Sequence, residues 1–110
     1  MAKFEKQFNG DFDLVVAAIE EAGLTSISAT LEDYSNYQND SLQVAVRVFE
    51  RFSYFGGNRL SLNVTLVGEG KRLFLSVITA GGSQAVFFKV NRVGEHTFLN
   101  KFLGDLRKFW

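Results

Sequence analysis

The chain has 110 residues, no Cys and no Pro, and twelve basic residues against twelve acidic ones. This excludes disulfides, thiol chemistry and cysteine metal sites, and the neutral balance argues against nucleic-acid or anionic-membrane partners. With 46% hydrophobic residues and twelve Phe, residues 1–110 read as one folded domain with its own core. The opening Met1-Ala2-Lys3-Phe4 has no apolar leader, and no apolar run reaches membrane-spanning length. A cytoplasmic location and no membrane association are therefore expected.

Lys3 to Phe8 reads as a first strand, with Phe4 and Phe8 on one face. Asn9-Gly10-Asp11 is a turn and helix start, with Asn9 or Asp11 as N-cap and Asp13 in the first turn. Phe12, Val15, Val16, Ile19 and Ala22 recur at helical spacing, and Gly23 follows just past the helix end. Thr25 to Leu31 alternates as a strand, with Ile27, Ala29 and Leu31 inside, and Tyr34 to Asp40 reads as a polar loop. Gln43 to Asn91 reads as four strands joined by glycine turns. A helix from about Gly94 or Glu95 closes the chain, with Phe98, Leu99, Phe102, Leu103 and Leu106 as its apolar stripe, extended by Phe109 or Trp110.

Leu60, Leu62, Val64 and Leu66 alternate with polar residues, as do Leu73, Leu75 and Val77. A two-residue loop at Glu69-Gly70 sets Leu66 opposite Leu73 and Val64 opposite Leu75. A two-residue loop at Gly81-Gly82 sets Val77 opposite Val86 and Leu75 opposite Phe88. A three-residue loop, Gly56-Gly57-Asn58, sets Phe52 opposite Leu62 and Val48 opposite Leu66. Glu50 then lands on the apolar side, and a bulge near Val48-Phe49 would point Arg51 inward instead.

The predicted order is β-α-β-β-β-β-β-α. Sequential strands with short turns imply an α+β fold, an antiparallel meander with two helices packed on one face. The order is similar to TATA-binding-protein-like and helix-grip arrangements, a likeness of architecture that brings no function with it.

Two stretches go further. Arg47-Val48-Phe49-Glu50-Arg51-Phe52-Ser53-Tyr54-Phe55-Gly56-Gly57-Asn58-Arg59-Leu60-Ser61-Leu62 is one, and Gly81-Gly82-Ser83-Gln84-Ala85-Val86-Phe87-Phe88-Lys89-Val90-Asn91 is the other. With the lengths around them they resemble a small family of uncharacterised single-domain bacterial proteins, a domain of unknown function. The likeness spans most of the chain and implies no catalytic residues.

The chemistry is sparse. His96 is the single histidine, and no second His or Cys can join it in a metal site, so an ordinary surface or capping residue is the better reading. Gly68-Glu69-Gly70-Lys71 superficially resembles a phosphate loop, but a strand follows it where a helix is needed, so it reads as a hairpin turn. Gly81-Gly82-Ser83-Gln84 also reads as a turn in preference to an anion cradle. The acids Glu20-Glu21 and Glu32-Asp33 read as solvated surface. Glu50, facing inward, either has a raised pKa or pairs with Arg47, Arg51 or Arg59, and the pair is preferred. Neither a catalytic residue, a metal nor a cofactor is assigned.

The outer sheet face stands out. The expected register stacks Phe49, Thr65, Phe74 and Lys89, then Arg51, Asn63, Ser76 and Phe87, then Ser53, Ser61, Ile78 and Ala85. Such a mixture suits a partner or ligand, although cross-strand aromatics can also merely stabilise a sheet. The leading reading is a non-enzymatic binding or interaction module that forms a homodimer through this face, or takes another protein there. The alternative is a small-molecule-binding protein with a cleft between the sheet and the C-terminal helix. An enzyme built on Glu50 and the arginines is the third and weakest.

Overall fold

The computed structural model describes residues 1–26, 28–52, 59–81 and 88–110, the side chains of 88–95 excepted. Five strands form one antiparallel sheet: β1 (Ala2–Asn9), β2 (Thr30–Gln38), β3 (Gln43–Phe52), β4 (Arg59–Glu69) and β5 (Arg72–Gly81). Helix α1 (Phe12–Gly23) joins β1 to β2, and α2 (Phe88–Leu106) follows β5 and ends in a 3-10 turn, Arg107–Phe109. Across the sheet the order is β1-β5-β4-β3-β2. The last four strands are thus a meander, β1 closes onto β5, and α1 carries the chain between the two edges. This is the expected α+β architecture.

Alternation along β4 and β5 puts Leu60, Leu62, Val64, Leu66, Leu73, Leu75 and Val77 in the core, as expected from period two. Both helices cover that inner face. Asp11 caps α1 by accepting a hydrogen bond from the Leu14 amide at 3.1 Å, and Asp13 lies in the first turn. Val15, Ile19 and Ala22 are buried, as is the whole expected stripe of α2 from Phe98 to Leu106. Beyond the 3-10 turn, Trp110 stacks on Phe4 at 5.8 Å and meets Phe8 at 5.0 Å, which fastens the end of the chain to β1.

Gly23 is the last residue of α1 and not a left-handed residue beyond it. Its requirement is steric. A Cβ there would lie 2.3 Å from the Phe49 ring, which is fully buried and also meets Phe102 at 6.5 Å between centroids.

Four expectations are corrected. The alternation over 84–91 predicts a sixth strand, but residues from Phe88 onward belong to α2, and Gly82–Phe87 lie outside the described residues. The place beside β5 is taken by β1, so Leu75 faces Lys6 and not Phe88. A short apolar run fits either element by periodicity alone. Second, Tyr34 to Gln38 is strand and not loop. The chain turns at Ser28, which has φ of 67°, and β2 starts at Thr30. An edge strand exposed on both sides tolerates that polarity. Leu31 does face inward, opposite Phe49, whereas Ile27 lies outside the described residues. Third, the β4–β5 turn is Gly70-Lys71, with Gly70 at φ of 60°. Partners therefore move by two residues, to Leu66 opposite Leu75 and Val64 opposite Val77, and the faces are kept.

The fourth correction changes the molecule most. Phe52 pairs with Arg59 and Phe49 with Leu62, so the β3–β4 register departs from the expected one by an odd step. Every β3 side chain changes face. Ala45, Arg47, Phe49 and Arg51 turn inward, and Val44, Val46, Val48, Glu50 and Phe52 turn outward. The expected loop at Gly56-Gly57-Asn58 lies outside the described residues.

Phe102→Ala should cost about 3–5 kcal/mol, because the ring is fully buried. Gly23→Ala should cost about 1–3 kcal/mol by forcing Phe49 off its seat. Urea denaturation midpoints check both, and an unshifted midpoint for Gly23→Ala would show that α1 and β3 are loosely packed.

Candidate functional site

The inverted β3 sends an arginine into the inner face. Arg47 is only 5% exposed. Its Nε donates to Glu20 Oε2 of α1 at 2.8 Å. Its Nη1 donates to Val46 O and Asn36 Oδ1 at 2.9 Å and to Ser35 O at 3.3 Å. The guanidinium also lies 5.3 Å from the centre of the Tyr34 ring. A buried cation without such partners would cost several kcal/mol. Among the described residues, Nη2 has no hydrogen-bond partner. A cleft of about 400 Å³ opens here between α1, β2 and β3. Phe12 and Val16 give it an apolar wall, and Asp13, Asn36, Gln38 and Gln43 add polar groups around Arg47.

Arg51 follows on the same face. Its guanidinium sits 4.6 Å from the Phe98 ring centre and 3.3 Å from Ser26 Oγ. Burial lowers its pKa from the ordinary value, and it stays a cation at neutral pH. Arg51 and Phe49 therefore do not belong to the outer face where the sequence placed them. Phe49 is core and Arg51 lies under α2. Phe87 lies outside the described residues, and Lys89 belongs to α2 and not to the sheet.

Asn63, Thr65, Phe74 and Ser76 are on the outer face as expected, half-buried. The register aligns them with Val67, Val44, Val46 and Val48, of which Val48 was expected on the inner face opposite Leu66. One row runs Gln7, Phe74, Val67, Val44 and Tyr37 from β1 to β2. The next runs Glu5, Ser76, Thr65, Val46 and Ser35, and the third Lys3, Ile78, Asn63, Val48 and Asp33. The period-two run Val44-Val46-Val48 was the available signal, but alternation alone cannot say which side of a sheet is covered. A hollow of about 410 Å³ lies at the Phe74 end, bordered by Gln7, Val67 and Arg72.

Asn63 Nδ2 ties the face together through Ile78 O at 3.0 Å and Ser61 Oγ at 3.1 Å. At one corner Arg59 holds Glu50 at 2.8 Å and Glu32 at 3.3 Å. Glu50 is thus an outward member of an ion cluster, and its arginine partner is one of the three expected. His96 is exposed and well inside α2, not in its first turn. Among the described residues, no three of His, Asp and Glu converge as a metal group, and no helix is long and apolar enough to cross a membrane.

A known family of unknown function, DUF6054, matches residues 1–109. The chain belongs to that family. Nothing among curated proteins or solved structures matches it. Membership in DUF6054 therefore agrees with the resemblance of the two quoted stretches and brings no ligand, partner or site residue with it.

Glu20→Ala should destabilise the fold by about 1–3 kcal/mol by stranding the Arg47 charge. Against an Arg47→Met background the same change should cost far less, because no cation is left to strand. A double-mutant cycle in urea checks this, and additive effects would show that the pair is not coupled.

Proposed function

We propose that the domain is a non-enzymatic interaction module that forms a homodimer through the outer face of its sheet. The observation that supports this best is the row Gln7–Phe74–Val67–Val44–Tyr37 with Val46, Val48 and Ile78 beside it. The other face is filled by two helices, and a bare face on an antiparallel sheet is normally more polar than this.

Size agrees with the reading. Five strands of 8–11 residues give a footprint of roughly 600–850 Å², near the ~800 Å² per partner of stable dimers. Charge agrees too. The third row has Lys3 at one edge and Asp33 at the other, with β4 as the central strand. A two-fold axis along β4 stacks the two sheets face to face and sets Lys3 over the partner's Asp33. Both edges are then paired by one symmetry operation.

Phe74→Glu should weaken self-association strongly, because a charge within the contact would be desolvated without a partner. Its circular dichroism should remain that of the wild type. Lys3→Glu should weaken the dimer less, and adding Asp33→Lys should restore it. Sedimentation equilibrium over a concentration series decides. A wild type that stays monomeric at high concentration would remove the dimer and leave another protein as occupant of the face.

A further inference from the structure

We propose that the cleft between α1 and the β2–β3 edge binds a small, uncharged, hydroxyl-rich molecule, a monosaccharide or polyol, with Arg47 as its central donor. This site opens on the helix side of the sheet and meets the dimer face only at the β2–β3 edge, where Tyr37 and Val44 border both.

The argument starts from Arg47. The chain places a cation 95% out of water and satisfies Nε and Nη1 through four acceptors, yet Nη2 has no hydrogen-bond partner among the described residues. Buried donors are almost always paired, with protein or with ordered water, so Nη2 is a donor left for whatever occupies the cleft. Arg47 itself lines the cleft.

Charge selects the class of that group. Glu20 already neutralises Arg47 at 2.8 Å, and Asp13 borders the same cleft. An anion would meet the Asp13 carboxylate, and a cation would meet the guanidinium. A neutral oxygen acceptor suits Nη2 without either repulsion. The remaining polar lining is amide: Asn36, Gln38 and Gln43. Each amide offers both donors and an acceptor, and a hydroxyl does the same, so rings of hydroxyls match rings of amides. Phe12 and Val16 supply an apolar wall for the carbon-bound hydrogens of such a ring. The volume of about 400 Å³ is at the lower end of small-molecule sites, about 300–1,000 Å³.

The arrangement is also held in place before any ligand enters. Asn36 Oδ1 accepts from Arg47 at 2.9 Å, which turns the Asn36 amide nitrogen away from the guanidinium and leaves it for the ligand. Tyr34 packs on the guanidinium at 5.3 Å and restrains it. Pre-organised donors of this kind lower the entropy cost of binding a small polar molecule.

The test is a nuclear magnetic resonance titration of the isotope-labelled full chain with glucose, N-acetylglucosamine and myo-inositol at millimolar concentration, with acetate as a charged control. At least one uncharged probe should give saturable shifts at Phe12 to Val16, Asn36 to Gln38, Gln43 to Arg47 and the Arg47 Nε–H signal. Asn36→Ala and Gln43→Ala should each weaken that binding roughly 3–10-fold, the loss of one or two hydrogen bonds, with the rest of the spectrum native. Saturation by acetate at the same signals, stronger than by any uncharged probe, would overturn the proposal in favour of an anion site. Absence of saturable shifts at those residues with all the uncharged probes would overturn it outright.

Discussion

The seat of Phe49 on Gly23 governs this molecule. The ring occupies the space where any other residue at 23 would carry a Cβ, and it reaches Phe102 on the second helix. One aromatic side chain thus joins β3, α1 and α2. Because side chains on a strand alternate, fixing Phe49 inward fixes every other residue of β3. Arg47 and Arg51 must follow it into the inner face, and Val44, Val46 and Val48 must turn to the outside. The buried arginine and the apolar outer face are two results of a single packing choice.

That choice has an energetic logic. A fully buried Phe gains about as much as the larger core residues, roughly 3 kcal/mol, and three valines left half-covered forgo a comparable sum. Burying Arg47 adds a desolvation cost that Glu20, Asn36 and two backbone carbonyls offset. The inner face thus recovers its loss within the subunit. The outer face does not, since among the described residues nothing covers it. A second sheet laid over the valines would recover that remainder, which ties the proposed dimer to the register of β3.

The sheet edges explain the rest of the topology. β1 fills the place beside β5 from Arg72 to Thr79, and α2 covers β1 and β5 from within, with Trp110 clamping Phe4 and Phe8. At the far edge β2 is polar and exposed, and α1 stops short of covering it. The uncovered corner between α1, β2 and β3 is the cleft above Arg47. Cleft and dimer face meet at this edge, where Tyr37 and Val44 border both.

By itself, the sequence determined the α+β class, a capped helix start at Asn9 or Asp11, the inward faces of β4 and β5, and the stripe of α2. Each is a local property: a capping side chain, a period of two, a period of 3.6. Asn63, Thr65, Phe74 and Ser76 were placed on the outer face for the same reason. Only the tertiary structure decided which side of β3 is inside, because Val44-Val46-Val48 and Ala45-Arg47-Phe49 offer two alternating faces and the better apolar one is not the one buried. The fit of a ring against Gly23, about 26 residues away in sequence, settles it, and periodicity cannot register such a contact. It also decided that β1 and not residues 84–91 pairs with β5, since competition between two strands for one edge is a long-range event. Arg47, Asn36 and Glu20 meet only because three elements converge on one corner, so no spacing in the sequence could announce them.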